Sequence, residues 1–209
     1  MRLLVTGAAG QVGWELCRSL MPLGDVVASD RSHCDFSQPE LLPGLIRNVK
    51  PDVIVNAAGY TAVDRAEQEE KLATTVNGTA AGVLAEASRK AGILLVHYST
   101  DYVFDGVKAT PYSEDDAPHP INAYGRSKLA GDNAISAAGG AYVILRTSWV
   151  YSGRKQNFLR TILRLASERR ELRIVDDQIG APTWARDIAD ATALIVHAAC
   201  QERAQGQFA

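Results

Sequence analysis

The chain has 209 residues, of which 46% are hydrophobic and 22% charged, so it can build a core and is too apolar to be disordered. Its 22 basic and 24 acidic residues leave a net charge of −2, which excludes charge-driven capture by nucleic acid or an anionic membrane. No apolar run reaches the roughly 18 residues that a transmembrane helix needs.

Strand, glycine turn and helix alternate along the chain. Arg2 to Val5 reads as a short strand, followed by Gly7, Gly10 and Gly13. Val12, Leu16 and Leu20 recur at helical spacing until Pro22 and Gly24. Asp25 to Asp30 reads as a second strand. Ser37 with Glu40 predicts a capping box, with Pro39 in the first turn of a helix to Val49. Asp52 to Ala57 is near-continuously apolar, as a strand covered on both faces is. One long helix is expected over Glu69 to Ala91, then a strand over Ile93 to Tyr98. Thr100 to Asn122 is a long loop, and long loops in compact domains are usually functional. Ala123 to Ala138 is helical and Tyr142 to Arg146 is a strand. Phe158 to Arg169 then reads as a helix, Leu172 to Val175 as a strand and Trp184 to Ala199 as a helix.

This alternation predicts an α/β fold: a Rossmann-like, doubly wound, mostly parallel sheet with helices on both faces. We expect a nucleotide-binding domain over residues 1–150 and a partial substrate-binding region with closing helices over 151–209. Compact packing of 22.5 kDa would leave roughly 9,500 Å² accessible. The opening residues lack a signal peptide's apolar run, and Cys17, Cys34 and Cys200 lack metal-ligand spacing. Reduced thiols and a cytoplasmic location are therefore expected.

Thr6 to Gly13 joins the first strand to the first helix. Gly7 permits the tight turn, Gly10 lets the backbone approach a pyrophosphate, and Gly13 lets helix and strand pack closely. Asp30 closes the second strand, where a carboxylate binds adenine-ribose hydroxyls. Arg31 beside it can accept a 2′-phosphate, so NADH and NADPH both stay open. Asp35 and Phe36, in the next loop, can line the adenine. Trp14 reads as a packing aromatic and His97 as a satisfied structural histidine.

Tyr124 and Lys128 are four apart within a helix and share a face. Ser99 and Thr100 end the fourth strand at the carboxyl edge, where open α/β sheets bind ligands. An ammonium beside a phenol favours phenolate, and a threonine hydroxyl can bind a substrate oxygen. Together these groups suit proton delivery to a carbonyl while hydride arrives from the other side.

The chain resembles the extended short-chain dehydrogenase/reductases, and more closely the dTDP-4-dehydrorhamnose reductase family. The resemblance rests on strings that span nearly the whole chain. They are Gly10 to Leu16, Pro51 to Ala58, Thr61 to Asp64 with Glu67, and His97 to Phe104. Tyr124 to Gly131, Arg146 to Tyr151 and Asp176 to Thr183 complete them. It implies that Tyr124 protonates a C4 carbonyl. Lys128 would hold the nicotinamide ribose and lower the tyrosine pKa, and Thr100 would bind the C4 oxygen. Asp101, Val103 and Trp149 would contact substrate. Gly10, Gln11, Val12, Ala57, Ala58, Gly59, Tyr60, Thr61 and Tyr98 would surround the dinucleotide. The implied partner is a dTDP-linked 4-keto-6-deoxy sugar, reduced to dTDP-L-rhamnose.

A typical member is longer, so the small C-terminal substrate domain is expected to be largely missing. The strand that family members enter would fall at Gln205 to Ala209. Some members are dimers bridged by a divalent ion on acidic residues. One of those positions, just after Pro182-Thr183, holds Arg186, so no metal is expected; a homo-oligomer of another form stays open. Two other readings compete. One is a regulatory or nucleotide-sensing subunit of the same fold, as in the regulatory subunit of methionine adenosyltransferase. The other is a sugar-nucleotide epimerase.

Overall fold

The computed structural model describes residues 1–204, with side chains described through residue 202. The strand entry expected at Gln205 to Ala209 lies outside the described residues. In chain order the sheet strands are β1 (Arg2–Thr6), β2 (Asp25–Ser29), β3 (Val53–Asn56), β4 (Leu94–Thr100) and β5 (Tyr142–Thr147). All pair in parallel, in the order β2-β1-β3-β4-β5. The order reverses between β1 and β3, which places a topological switch point at their carboxyl ends.

Strand alternation sends successive side chains to opposite faces. Leu4, Ile54 and Leu95 are in register and point into one core with α2 (Leu42–Val49), α5 (Ala80–Ala91) and α6 (Ala123–Ala138). Val5, Val55 and Val96 point the other way, toward α1 (Gln11–Ser19) and α8 (Ala185–Ala204). Covering both faces is what makes these strands apolar throughout. Ala189 and Val196 of α8 belong to that second core, so α8 returns to the sheet.

Two local expectations are corrected. The Ser37–Glu40 capping box does not form. Asp35 instead takes the Ser37 N–H at 2.9 Å, Pro39–Leu41 forms a 3-10 turn, and α2 starts only at Leu42. The long helix expected over Glu69 to Ala91 is present: α4 (Glu70–Thr74), a π turn over Thr75–Thr79 and α5 run on without a break, and a short α3 (Val63–Ala66) precedes them. Leu172 to Val175 is not a strand. Ile174 and Val175 are exposed, and no neighbouring strand among the described residues satisfies their backbone. Strand β6 (Val150–Tyr151) pairs instead with β7 (Thr183–Trp184), on either side of α7 (Phe158–Glu168).

Candidate active site

The glycine turn sits at the switch point. Gly7 has φ +68°, and a Cβ there would lie 2.5 Å from the Ala57 carbonyl and the Ala58 nitrogen. Only glycine lets the β1 end approach the β3 end this closely. A Cβ on Gly13 would lie 2.2 Å from the Gly7 oxygen, so the helix also needs glycine there. Gly10 is the N-cap of α1, with no side-chain cap and no acidic residue in the first turn. The first amides of α1, at Gln11, Val12 and Gly13, therefore face outward at a positive helix end, the chemistry that receives a pyrophosphate.

Asp30 lies just past β2. Its Oδ1 accepts from the Ser32 N–H at 3.0 Å and the Ser32 hydroxyl at 2.6 Å, with His33 Nδ1 at 2.9 Å. These bonds hold its carboxyl down at about 2, so it is ionised and its Oδ2 can meet a ribose hydroxyl. Arg31 is exposed and pairs with Asp35 at 3.2 Å. Phe36 is buried in the α2 core, so it packs the fold rather than presenting its ring to a ligand.

The chemistry-bearing groups gather at the ends of β4 and α6. Asn122 caps α6 by accepting the Gly125 N–H at 2.7 Å, and Glu67 accepts the Ala123 N–H at 2.7 Å. A Cβ on Gly125 would lie 2.1 Å from the Tyr102 carbonyl oxygen. That glycine lets the first turn of α6 close on the 101–103 turn and brings Tyr124 to Thr100. The Thr100 side chain is close enough to Tyr124 to oppose the rise of its phenol, and the Tyr102 ring packs edge-on to Tyr124 at 5.6 Å. Thr100 also donates to Asp101 Oδ1 at 3.0 Å. Burial pushes the Asp101 carboxyl up from its ordinary value, and the Thr100 bond opposes this.

The expectation that Lys128 lowers the Tyr124 pKa is corrected. Burial pushes Tyr124 up to about 12, so the phenol keeps its proton. Lys128 is buried and its Nζ turns to β4, donating to the Tyr98 carbonyl at 2.5 Å. Burial lowers Lys128 to about 8, against the pull of Asp132.

The other expected site residues spread more widely. The Tyr98 ring follows strand alternation to the α8 face, where its hydroxyl meets Thr192 Oγ1 at 2.7 Å. Only its carbonyl faces Lys128. Val103 is fully buried and its carbonyl accepts from the His119 N–H at 2.8 Å, so it supports the loop instead of lining a pocket. Gly59, Tyr60 and Thr61 follow β3. The Tyr60 N–H donates to Asn77 Oδ1 at 2.8 Å, and Asn77 Nδ2 returns to the Tyr60 carbonyl at 3.0 Å. Trp149, left-handed at φ +44°, is partly exposed and packs on Gly180. The Gln11 side chain is taken by Ser152 and Asn157, each at 2.8 Å, and the Arg154 guanidinium covers the Trp14 ring at 4.3 Å. Arg186 Nε lies 3.2 Å from Glu15 Oε2, and the described residues hold no metal-like group of three His, Cys, Asp or Glu.

Sequence reasoning passed over Asn56 and Asn77. Asn56 is a polar residue ending an otherwise apolar strand. Asn77 lies in the π turn and donates to Ser127 Oγ at 2.9 Å, which ties that turn to α6. A buried amide in an apolar stripe was the signal for both.

A family profile described as "RmlD substrate binding domain" matches residues 1–208. The chain is 57% identical over 208 residues to the dTDP-4-dehydrorhamnose reductase of Burkholderia thailandensis, covering 100% of this chain and 70% of that protein. The chain belongs to the dTDP-4-dehydrorhamnose reductase family. A solved family structure, the Bacillus anthracis enzyme in complex with NADP, superposes with a TM-score of 0.90 at 38% identity. That match covers 94% of this chain and 70% of the solved one. The Thermus thermophilus UDP-glucose 4-epimerase complex with NAD shares the fold, with TM-score 0.78 and 24% identity over 93% of this chain and 74% of that one. Among the described residues no helix is long and apolar enough to cross a membrane.

Proposed function

We propose that this chain reduces the C4 carbonyl of dTDP-4-dehydro-6-deoxy-L-mannose to the alcohol of dTDP-L-rhamnose, at the expense of NADH or NADPH. The observation that carries this reading is the gathering of Thr100, Tyr124 and Lys128 at the ends of β4 and α6, at the carboxyl edge of the sheet. It occurs in a chain 57% identical to a reductase of that name.

The residues present fit a dinucleotide. Gly7 and Gly13 let the ends of β1 and β3 and the start of α1 close on one another without a side chain between them, and the uncapped start of α1 offers amides to a pyrophosphate. Gly10, Gln11 and Val12 would hold the phosphates, with Asp30 and Arg31 near the adenine ribose. Ala57 to Thr61 would lie beside the nicotinamide half, with Lys128 toward its ribose. The reduced nicotinamide, when bound, supplies the hydride that C4 receives.

The chain's own groups do the rest. Thr100 and Tyr124 direct two hydroxyls to one point, where a carbonyl oxygen can be held. Tyr124, protonated at neutral pH, gives its proton to that oxygen as the carbonyl becomes an alcohol. Asp101 and Trp149 would border the sugar. Residues 1–150 would form the cofactor domain and the chain from β6 the start of the substrate region. Cysteines kept as thiols suit the cytoplasm.

The test is oxidation of NADH and of NADPH by the chain with the 4-dehydro sugar nucleotide, for wild type and Tyr124→Phe. The expected loss on substitution is about 10²- to 10⁴-fold in kcat with cofactor affinity kept. Cofactor binding without turnover by wild type would favour the regulatory reading, and a cofactor returned unchanged with an isomerised sugar would favour the epimerase.

A further inference from the structure

Thr6, Asn56 and His97 stand in one row across β1, β3 and β4, on the face that α6 covers. Thr6 Oγ1 donates to Asn56 Oδ1 at 2.7 Å, and the Ala58 backbone N–H reaches the same oxygen at 3.2 Å. A backbone N–H can only donate, so that Asn56 atom is an acceptor and the amide orientation follows. Asn56 Nδ2 then donates to His97 Nδ1, 2.9 Å away. His97 is 1% exposed, and burial holds it well below its ordinary value, so the ring is neutral. A neutral imidazole that accepts at Nδ1 carries its proton at Nε2. That nitrogen lies 3.3 Å from Lys128 Nζ.

An ammonium has three donors and no acceptor, so it cannot receive the Nε2–H. An amine can, while still donating to the Tyr98 carbonyl. We propose that His97 is a positioning residue that biases Lys128 toward the neutral amine in the free chain, through an Nε2–H tautomer imposed by Asn56. The inference rests on the reading of Lys128 as the partner of Tyr124 in the reductase site.

The other groups around Lys128 are few. Tyr124 and Asp132 share its helix, and Asp132 favours the ammonium. Asp132 is itself held by Ser99 from β4 at 2.7 Å and faces Arg146 from β5 at 3.8 Å. From β4, Lys128 meets only His97 and the Tyr98 carbonyl among the described residues. The row therefore biases the charge on Lys128 from the sheet side. In Asn56→Asp the new carboxylate would accept from Nδ1, leave Nε2 as an acceptor and favour the ammonium.

Two measurements on the full chain test this. The first is the ¹⁵N spectrum of labelled histidine, with His97 assigned by loss of its signals in His97→Gln. The Nε2–H tautomer is expected from about pH 6 to about pH 9, and an Nδ1–H tautomer overturns the proposal. The second is the ¹³Cε titration of Lys128 in wild type and Asn56→Asp. Its midpoint is expected to rise by about one unit, a tenfold change in proton affinity. An unmoved midpoint in folded Asn56→Asp overturns the proposal. If that variant does not fold, the tautomer decides alone. Neither measurement uses turnover. The expected tautomer and titration without reduction of the sugar nucleotide would overturn the reductase reading and leave this one standing.

Discussion

The sheet and the segment between β5 and α8 are built on different terms. In the sheet, Leu3, Leu4, Val5, Ile54, Val55, Leu95 and Val96 are each 1% exposed or less. In the segment, amphipathic α7 buries no residue, and Phe158, Leu163 and Ile179 are 67%, 63% and 103% exposed. The total accessible area is 11937 Å², above the roughly 9,500 Å² of a compact chain of this mass. The difference teaches where the site's rigidity comes from. Thr100, Tyr124 and Lys128 stand on the sheet and α6, whose cores close without the segment, whereas Trp149 stands where the segment begins. Within the segment, order comes from polar ties back to α1, through Gln11 and the Arg154–Trp14 stack.

The contrast can be broken at its strong end first. Leu4→Ala removes a fully buried side chain between three helices and the sheet. It should cost about 2–5 kcal/mol in urea unfolding, and a loss well below that range would mean the core is looser than its burial indicates. Gln11→Ala comes next, because it cuts two bonds between α1 and the 152–157 loop. The expected loss is about 1 kcal/mol, with faster proteolysis of that loop and an unchanged sheet by hydrogen exchange. Protection lost in the sheet as well would show that the two regions unfold as one unit. The smallest change belongs to Leu163→Ala, which should shift stability by no more than about 0.5 kcal/mol. A larger loss would place the apolar face of α7 against a surface in solution.

The sequence carried the fold class and much of the site, because those depend on local pattern. Apolar runs of strand length, the Gly7-Gly10-Gly13 turn, Tyr124 with Lys128 one turn apart and the strand-end Thr100 are visible within short windows. Strand alternation, applied from Val96, also places Tyr98 on the α8 face and His97 on the α6 face.

Tertiary structure decided the rest, because the remaining determinants join residues far apart in the chain. The helix from Glu70 carries a π turn within which Asn77 bonds Tyr60 and Ser127. Leu172 to Val175 had a strand's composition and no partner strand among the described residues to complete its ladder. Phe36 was absorbed by the α2 core. The proton state of Tyr124 followed from its burial, and that of Lys128 from burial against the pull of Asp132. Periodicity reports which face a side chain occupies. Which amide, ring or carbonyl waits there is settled only when distant segments pack, and a buried polar group must find its partner among them.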